Sequence, residues 1–335
     1  MKRLWLLNLT LVLNVISIGG CGEEPQSEDA PQAEQRPEAA PDMTPMLSDQ
    51  GSASGGDMLS AADDPLAGET LTVGEALGRP AKLFFPNSYQ RGQRWPLIVL
   101  LHGYGANGAL QDAIFGLRPR QNERGYLLLV PEGREDARGN QFWAATEACC
   151  DFAAEGDPDE DVDYLTALLE ETLRSAEIDP ERVSLVGHSN GGYMSYRMAC
   201  ERPALLQRFV VLAGSDKGLD MRCPPSVPLS LLHIHGTADP TVSYRSGGIS
   251  SGAEESAQRW GEGIGCEPTP IDVKRVDLLP SLEGAETDLV RWLGCPRGAE
   301  VELWSVRGGD HLFIGNSPAF KDKIVDFLLG ETEDG

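Results

Sequence analysis

The stretch Val183-Ser-Leu-Val-Gly187-His-Ser189-Asn-Gly191-Gly192-Tyr-Met-Ser-Tyr-Arg-Met-Ala-Cys200 constrains the chain most. A branched apolar run stops at a serine between glycines, and a helical pattern starts immediately, which reads as strand, sharp turn, helix. A serine on such a turn holds strained backbone angles. The residues two before and two after it must then be small for strand and helix to pass each other, and Gly187 and Gly191 meet that demand. Ser189 is thus placed as a nucleophile on an elbow.

The G-x-S-x-G pattern alone decides little, because Gly248-Ile-Ser250-Ser-Gly252 also satisfies it. No buried strand precedes Ser250, and Ser251 with Glu254 reads as a capping box that opens a helix over 252–261. Ser250 is expected in a loop.

Around the elbow, short strands are expected at Thr70–Val73 and Arg79–Phe85. Continuous apolar runs at Trp95–Leu101, Leu127–Val130, Phe209–Ala213 and Leu229–His235 suit strands covered on both faces. Val301–Val306 reads as a further strand, and Ala319–Leu329 as a closing helix. A helix with Leu165, Leu168, Leu169 and Leu173 on one face precedes the elbow. The aspartates at its start resemble a calcium loop, but the expected glycine and glutamate positions hold Val162 and Leu168, so carboxylates at a helix N-terminus are the better account. Strands alternating with helices define an α/β protein with one mostly parallel, doubly wound sheet in a single domain over 69–335.

A serine hydroxyl needs a base, and the base needs a carboxylate to fix its tautomer. Of five histidines, four lie on strands, at strand ends or beside Ser189; only His311 follows a strand in a polar turn, Arg307-Gly-Gly-Asp-His311. The turn His235-Gly-Thr-Ala-Asp239-Pro240 supplies the acid, Asp239, in the chain order Ser, acid, His read the α/β-hydrolase way, with Asp216 in reserve and Asp310 too close to His311 to fold back. The oxyanion donors are expected to be the backbone N–H groups of Asn190 and of Tyr104, in the turn His102-Gly103-Tyr104-Gly105.

The first 68 residues read differently. Met1-Lys-Arg, an apolar stretch to Ile18 and Ile18-Gly-Gly-Cys21 form a signal peptide. Its last four residues resemble the lipobox of bacterial lipoproteins, which makes Cys21 the lipidation site and the lipid the chain's one membrane attachment. Residues 22–68 have no aromatic side chain and cannot bury enough apolar surface to fold. As a tether they would reach roughly 35–40 Å. The net charge is -24; residues 22–68, with 11 carboxylates and Arg36, account for -10, Lys2 and Arg3 for +2, and residues 69–335 therefore carry -16. Such a surface excludes nucleic acid as a partner and disfavours anionic esters. Six cysteines beyond Cys21 suit disulfides in an oxidising compartment, and no C-x-x-C pair suggests a metal.

Leu101-His-Gly-Tyr-Gly, Trp143 with Cys149-Cys150, Gly187-His-Ser-Asn-Gly-Gly, His235-Gly-Thr-Ala-Asp-Pro and Gly308-Gly-Asp-His311, in this order, resemble the polyhydroxybutyrate depolymerase-like and feruloyl esterase-like proteins of the α/β-hydrolase superfamily. The resemblance implies a monomeric, exported serine ester hydrolase, without metal or organic cofactor, acting on small or polymeric esters. A peptidase or acyltransferase would share the triad, and a non-catalytic surface module would share the scaffold. It also implies disulfides Cys200–Cys223 and Cys266–Cys295, and leaves Cys149 and Cys150 either bonded to each other or reduced. Similar members carry Trp-Pro shortly after the histidine, where this chain has Leu312-Phe313. Phe313, Trp143 and Tyr104 are the candidate pocket aromatics, with Trp143 equally readable as a packing anchor.

Overall fold

The run Trp95–Leu101 has no polar side chain because both of its faces are covered. Leu97, Val99 and Leu101 enter one core, and Ile98 and Leu100 enter another on the opposite side of the sheet. Burying such a side chain contributes about 1.5–3 kcal/mol relative to leaving it in water. The computed structural model describes residues 64–150, 159–219, 223, 227–313 and 317–331. The signal peptide, Cys21 and the tether up to Asp63 lie outside the described residues.

In chain order the strands are β1 (Thr70–Val73), β2 (Ala81–Phe84), β3 (Trp95–Leu101), β4 (Leu127–Val130), β5 (Arg134–Glu135), β6 (Gln141–Phe142), β7 (Ile178–His188), β8 (Arg208–Leu212), β9 (Ser230–Gly236), β10 (Ile271–Val276), β11 (Thr287–Trp292) and β12 (Val301–Val306). The helices are α1 (Gly108–Phe115), α2 (Leu117–Arg124), α3 (Glu160–Ser175), α4 (Asn190–Glu201), α5 (Ala253–Ile264) and α6 (Pro318–Leu329). Ten strands form one sheet in the order β1-β2-β4-β3-β7-β8-β9-β12-β11-β10. The pairings from β4 through β12 are parallel; β1 and β2 at one edge and β10 and β11 at the other are antiparallel. Strands β5 and β6 make a separate hairpin.

From β3 the chain steps to β4 on one side and then to β7 on the other, and ligands bind at the carboxyl ends of strands beside such a reversal. His102, Ser189 and the turns bearing Asp239 and His311 all follow carboxyl ends, those of β3, β7, β9 and β12.

The sequence reading of the main sheet and of the helices after it is met by the structure, with four differences. The ordered fold includes residues assigned to the tether: Asp64 accepts from Leu66 N and Arg91 N at 3.0 and 2.9 Å, and Leu66 and Ala67 pack on the core. The sequence reading does not include the hairpin β10–β11, since β10, Ile271-Asp-Val-Lys-Arg-Val276, is exposed up to Arg275 and only Val276 packs on the core. Helices α1 and α2 were also missed, being eight residues each with little apolar periodicity. Finally, α5 starts at Ala253 from Gly252 with no side-chain cap, and Ser251 instead donates its N–H to Ser215 Oγ at 2.9 Å, so the capping box is not formed.

The crossing of β7 and α4 fixes the glycines. A Cβ on Gly187 would overlap the Gly191 carbonyl, and one on Gly191 would lie 2.6 Å from His102 O. Gly191→Ala is expected to lower stability by about 2–3 kcal/mol, since backbone carbonyls rather than a flexible side chain would have to move. Urea unfolding measures this, and a wild-type midpoint would contradict the packing described.

Candidate active site

Ser189 opens α4 at φ 52°, ψ -119°, a left-side conformation that a non-glycine residue holds only when its surroundings impose it. Its N–H donates to Leu212 O at 2.8 Å, and its carbonyl accepts from Tyr193 N at 3.1 Å, which tie the turn to β8 and to the first turn of the helix. A Cβ on Gly103 would stand 3.4 Å from Ser189 Cβ, so the turn after β3 and the elbow are in direct contact.

Asp239 and His311 meet across two turns, with His311 Nδ1 2.7 Å from Asp239 Oδ2. The approach is possible because Gly236 carries no side chain; a Cβ there would lie 2.6 Å from the Gly309 carbonyl carbon. The Asp239 carboxylate is fully enclosed. Oδ1 accepts from Thr241 N and Val242 N at 2.8 and 2.9 Å, and His235 Nε2 lies 3.4 Å from Oδ2. Burial pushes its pKa up, but the hydrogen bonds from His235 and His311 and the backbone outweigh that, and the carboxyl is held below the ordinary range. Asp216, the reserve acid, is occupied by Ser256 Oγ at 2.7 Å and by Arg259, and Asp310 accepts from Leu312 N at 2.9 Å.

His188, beside the nucleophile, donates Nε2–H to His311 O at 2.9 Å, and the two rings lie 4.9 Å apart. It therefore ties the elbow to the backbone of the residue on the opposite turn. Burial, followed by the neighbouring His311, pushes its pKa down to about 4. His102 is likewise buried and pushed down by burial; its Nε2 accepts from Gly133 N at 2.9 Å, so Nδ1 carries the proton and donates to Gly103 O at 2.9 Å.

The turn expected to supply an oxyanion donor is tied to the β5–β6 hairpin. Gly105 N donates to Gln141 O at 2.8 Å, and Tyr104 Oη donates to Asp136 Oδ2 at 2.7 Å, a bond that holds the Asp136 carboxyl below its ordinary range. Tyr104 remains partly exposed. Two other pocket expectations are corrected. Trp143 has 0% exposure and sits among core residues, and Phe313 is buried against Phe320, ring centres 5.9 Å apart, under Gly309. The side chain that faces outward beside the base is Leu312, 60% exposed. The alternation of turn residues gave no way to tell Leu312 from Phe313, although the larger ring is the one a core would recruit. Ser250 is buried in a loop, its Oγ accepting from Gly252 N at 2.9 Å. The structure pairs Cys149–Cys150, Cys200–Cys223 and Cys266–Cys295. Among the described residues no cluster of His, Cys, Asp or Glu is arranged to hold a metal ion.

A mostly parallel sheet with a strained serine on a strand–helix turn and an Asp–His pair on two later turns has the architecture of the α/β-hydrolase class. The sequence pattern of the phospholipase/carboxylesterase family matches residues 89–259, and the chain belongs to that family. Among relatives, feruloyl esterase C of Emericella nidulans is 30% identical over 221 residues, 63% of this chain and 72% of that one. Feruloyl esterase D of Neurospora crassa is 26% identical over 272 residues, 77% and 82% of the two chains. The acetyl xylan esterase of Aspergillus awamori superposes with a TM-score of 0.58 over 79% of this chain and all of its own, at 13% identity, which reflects shared fold. The chain is a carboxylic ester hydrolase.

The His188 pKa has a consequence for stability. The folded value, about 4, is below the unfolded value near 6.5, so the unfolded chain binds the extra proton between these limits. The contribution of His188 to stability is complete above about pH 6.5 and falls by on the order of 3 kcal/mol as pH drops toward 4. His188→Gln, which keeps a donor toward His311 O, is expected to show a shallower fall of Tm over this window than wild type; identical slopes would contradict the assignment.

Proposed function

We propose that this ester hydrolase works through Ser189, His311 and Asp239, with the N–H groups of Asn190 and Tyr104 receiving the oxyanion. The observation that carries the reading is the 2.7 Å His311–Asp239 hydrogen bond at the same end of the sheet as the strained Ser189. Asp239 keeps the proton of neutral His311 on Nδ1, which leaves the Nε2 lone pair free to take the Ser189 proton. Ser189 Oγ then bonds to the ester carbonyl carbon, and the carbonyl electron pair moves onto oxygen, where backbone donors stabilise it. Collapse expels the alcohol, which takes the proton from His311 Nε2. Water, deprotonated by the same nitrogen, attacks the acyl-enzyme and releases the acid and Ser189.

The substrates of this reading are neutral esters with short acyl, hydroxyalkanoate or aromatic, feruloyl-type acids. It is supported by feruloyl esterases among the relatives and by exposed apolar side chains on the site loops: Leu312 beside the base, Tyr104 on the turn after β3, and Ile249, whose carbonyl accepts from Tyr193 Oη at 2.7 Å. The acidic surface favours neutral over anionic esters. The signal peptide, the Cys21 lipobox and the acidic segment support an exported monomer held by lipid to an outer membrane or cell surface, with its catalytic domain at the end of a tether.

Ser189→Ala is expected to lower kcat by about four to six orders of magnitude and to abolish labelling by an organophosphonate ester. Ser250→Ala should change neither, and mass-labelling of another serine would overturn the assignment. On 4-nitrophenyl acetate, butyrate and palmitate, methyl ferulate, a hydroxybutyrate oligomer and a peptide, kcat/KM should favour short or aromatic acyl esters; preference for palmitate or for the peptide would contradict the reading. For attachment, Cys21→Ala should move the chain from the membrane to the soluble fraction, and a variant still bound to membranes would overturn lipid anchoring at Cys21.

A further inference from the structure

Trp143 is a large apolar side chain with no exposed surface, yet it lies outside the main sheet, between the hairpin and the bridge formed by Thr146 with Cys149. A buried segment without a ladder must satisfy its backbone in some other way. Here three side chains do it. The Asn190 amide closes a double hydrogen bond on Trp143, with Oδ1 accepting from Trp143 N at 2.7 Å and Nδ2 donating to Trp143 O at 2.9 Å. The next residue is held equally well: Ala144 N donates to Asp161 Oδ2 at 2.7 Å, and Ala144 O accepts from Arg197 Nη1 at 2.8 Å. Asn190 and Asp161 are themselves fully buried.

Backbone clamping of this kind fixes where the indole goes. Its Nε1–H donates to His102 O at 3.0 Å, and the two rings pack at 5.0 Å. The same His102–Gly103 peptide is held at its other end, because Gly103 N donates to Gln111 Oε1 at 3.0 Å. A peptide unit is planar, so pinning its oxygen and its N–H leaves it no rotation. The next peptide, whose N–H belongs to Tyr104, has its oxygen held by His102 Nδ1–H. Because C=O and N–H point in opposite directions across a trans peptide, that bond also sets the direction of the Tyr104 N–H.

We propose that Trp143 is a positioning residue for ester hydrolysis: clamped by the Asn190 side chain, its indole N–H anchors the His102 peptide and so fixes the spacing between the Asn190 and Tyr104 backbone donors. The proposal rests on the oxyanion role assigned to those two N–H groups under the proposed function. One strut thereby joins the residue after the nucleophile to the turn after β3. Trp143 touches no substrate; it acts through the peptide it holds. Asn190 has two separate duties, its backbone N–H facing the reaction and its side chain facing the strut.

The test compares Trp143→Phe, which keeps an aromatic ring but removes the N–H, with replacement of Trp143 by 3-benzothienylalanine, which keeps the bicyclic shape and substitutes sulfur for N–H. Three quantities are read for each: kcat and KM on the best ester of the panel, affinity for a trifluoromethyl ketone that forms a tetrahedral adduct with the serine, and Tm. Both variants should lose about 10- to 100-fold in kcat with KM changed less than about twofold, a loss smaller than that for deleting an oxyanion donor outright. Affinity for the ketone should fall by the same factor as kcat/KM. Trp143→Phe can fail to fold because a ring is lost, and the benzothienyl variant then carries the test, since its volume matches. Wild-type kcat in the benzothienyl variant would overturn the proposal and leave Trp143 as packing alone. A raised KM at unchanged kcat would overturn it in favour of a pocket wall. Phosphonate labelling of Ser189 in each variant separates these results from failure of the site reading: if another serine is labelled, the proposed function itself is wrong, whereas intact labelling with unchanged kcat removes only the strut.

Discussion

The backbone of Ser189, held at φ 52°, ψ -119°, is the constraint on which the rest of this structure depends. Such a conformation costs on the order of 1–3 kcal/mol and persists only where neighbours over-determine it. Four glycines give those neighbours room. Gly187 and Gly191 let strand and helix touch backbone to backbone, while Gly192 and Gly214 face each other so closely that a Cβ on Gly192 would lie 3.2 Å from Gly214 Cα and one on Gly214 would lie 2.9 Å from Gly192 Cα. Ser195, one turn into the helix, is another small residue in the same crossing, with its Oγ donating to Gly191 O at 2.8 Å. Because the crossing also brings Gly191 against the His102 carbonyl, the elbow and the turn after β3 are packed as one unit.

The histidines follow from the same geometry. Four of the five are buried, and each is engaged at both or one of its ring nitrogens. His235 Nε2 must donate to Val242 O, since a carbonyl only accepts; His235 Nδ1 then accepts from His233 Nε2, and His233 Nδ1 accepts from Tyr196 Oη. Burial pushes His233 down, which keeps it in the neutral form this chain requires. A ring locked in this way cannot exchange a proton with substrate. His311 keeps some exposure, and its Nδ1 faces a carboxylate, so in the proposed mechanism its other nitrogen is the one left for chemistry.

Much of this was legible from residue type and order, because close packing leaves a direct signature. Glycines at fixed offsets from Ser189, unbroken apolar runs, and a lone histidine in a polar turn each state a steric or solvation requirement. What was not legible depends on partners distant in the chain. Trp143 read equally well as wall or anchor, since its burial rests on Asn190, Asp161 and Arg197, which lie 18 to 54 positions away in sequence and which no local pattern links to it. Phe313 and Leu312 are adjacent, and contacts distant in sequence, such as Phe320 on α6, accompany the inward turn of Phe313. Strand β10 gave little signal because it is an edge strand exposed from Ile271 to Arg275, with only Val276 touching the core, and its order comes mainly from pairing with β11.

The surroundings of Asp239 give the site its direction. Among the described residues its hydrogen-bonding neighbours are two backbone N–H groups and two imidazoles, and no arginine or lysine pairs with it. A guanidinium in that place would neutralise the carboxylate before the reaction and leave little for His311 to gain. Dipolar donors instead keep the group ionised while its charge stays unpaired. In the proposed mechanism His311, on taking the serine proton, becomes the first full cation that Asp239 meets, and the attraction between them is greater after proton transfer than before. An interaction that strengthens along the reaction coordinate lowers the barrier, whereas one equally strong in the resting enzyme would not. The Asp239 side chain has no surface exposed to water, which raises the strength of that late interaction.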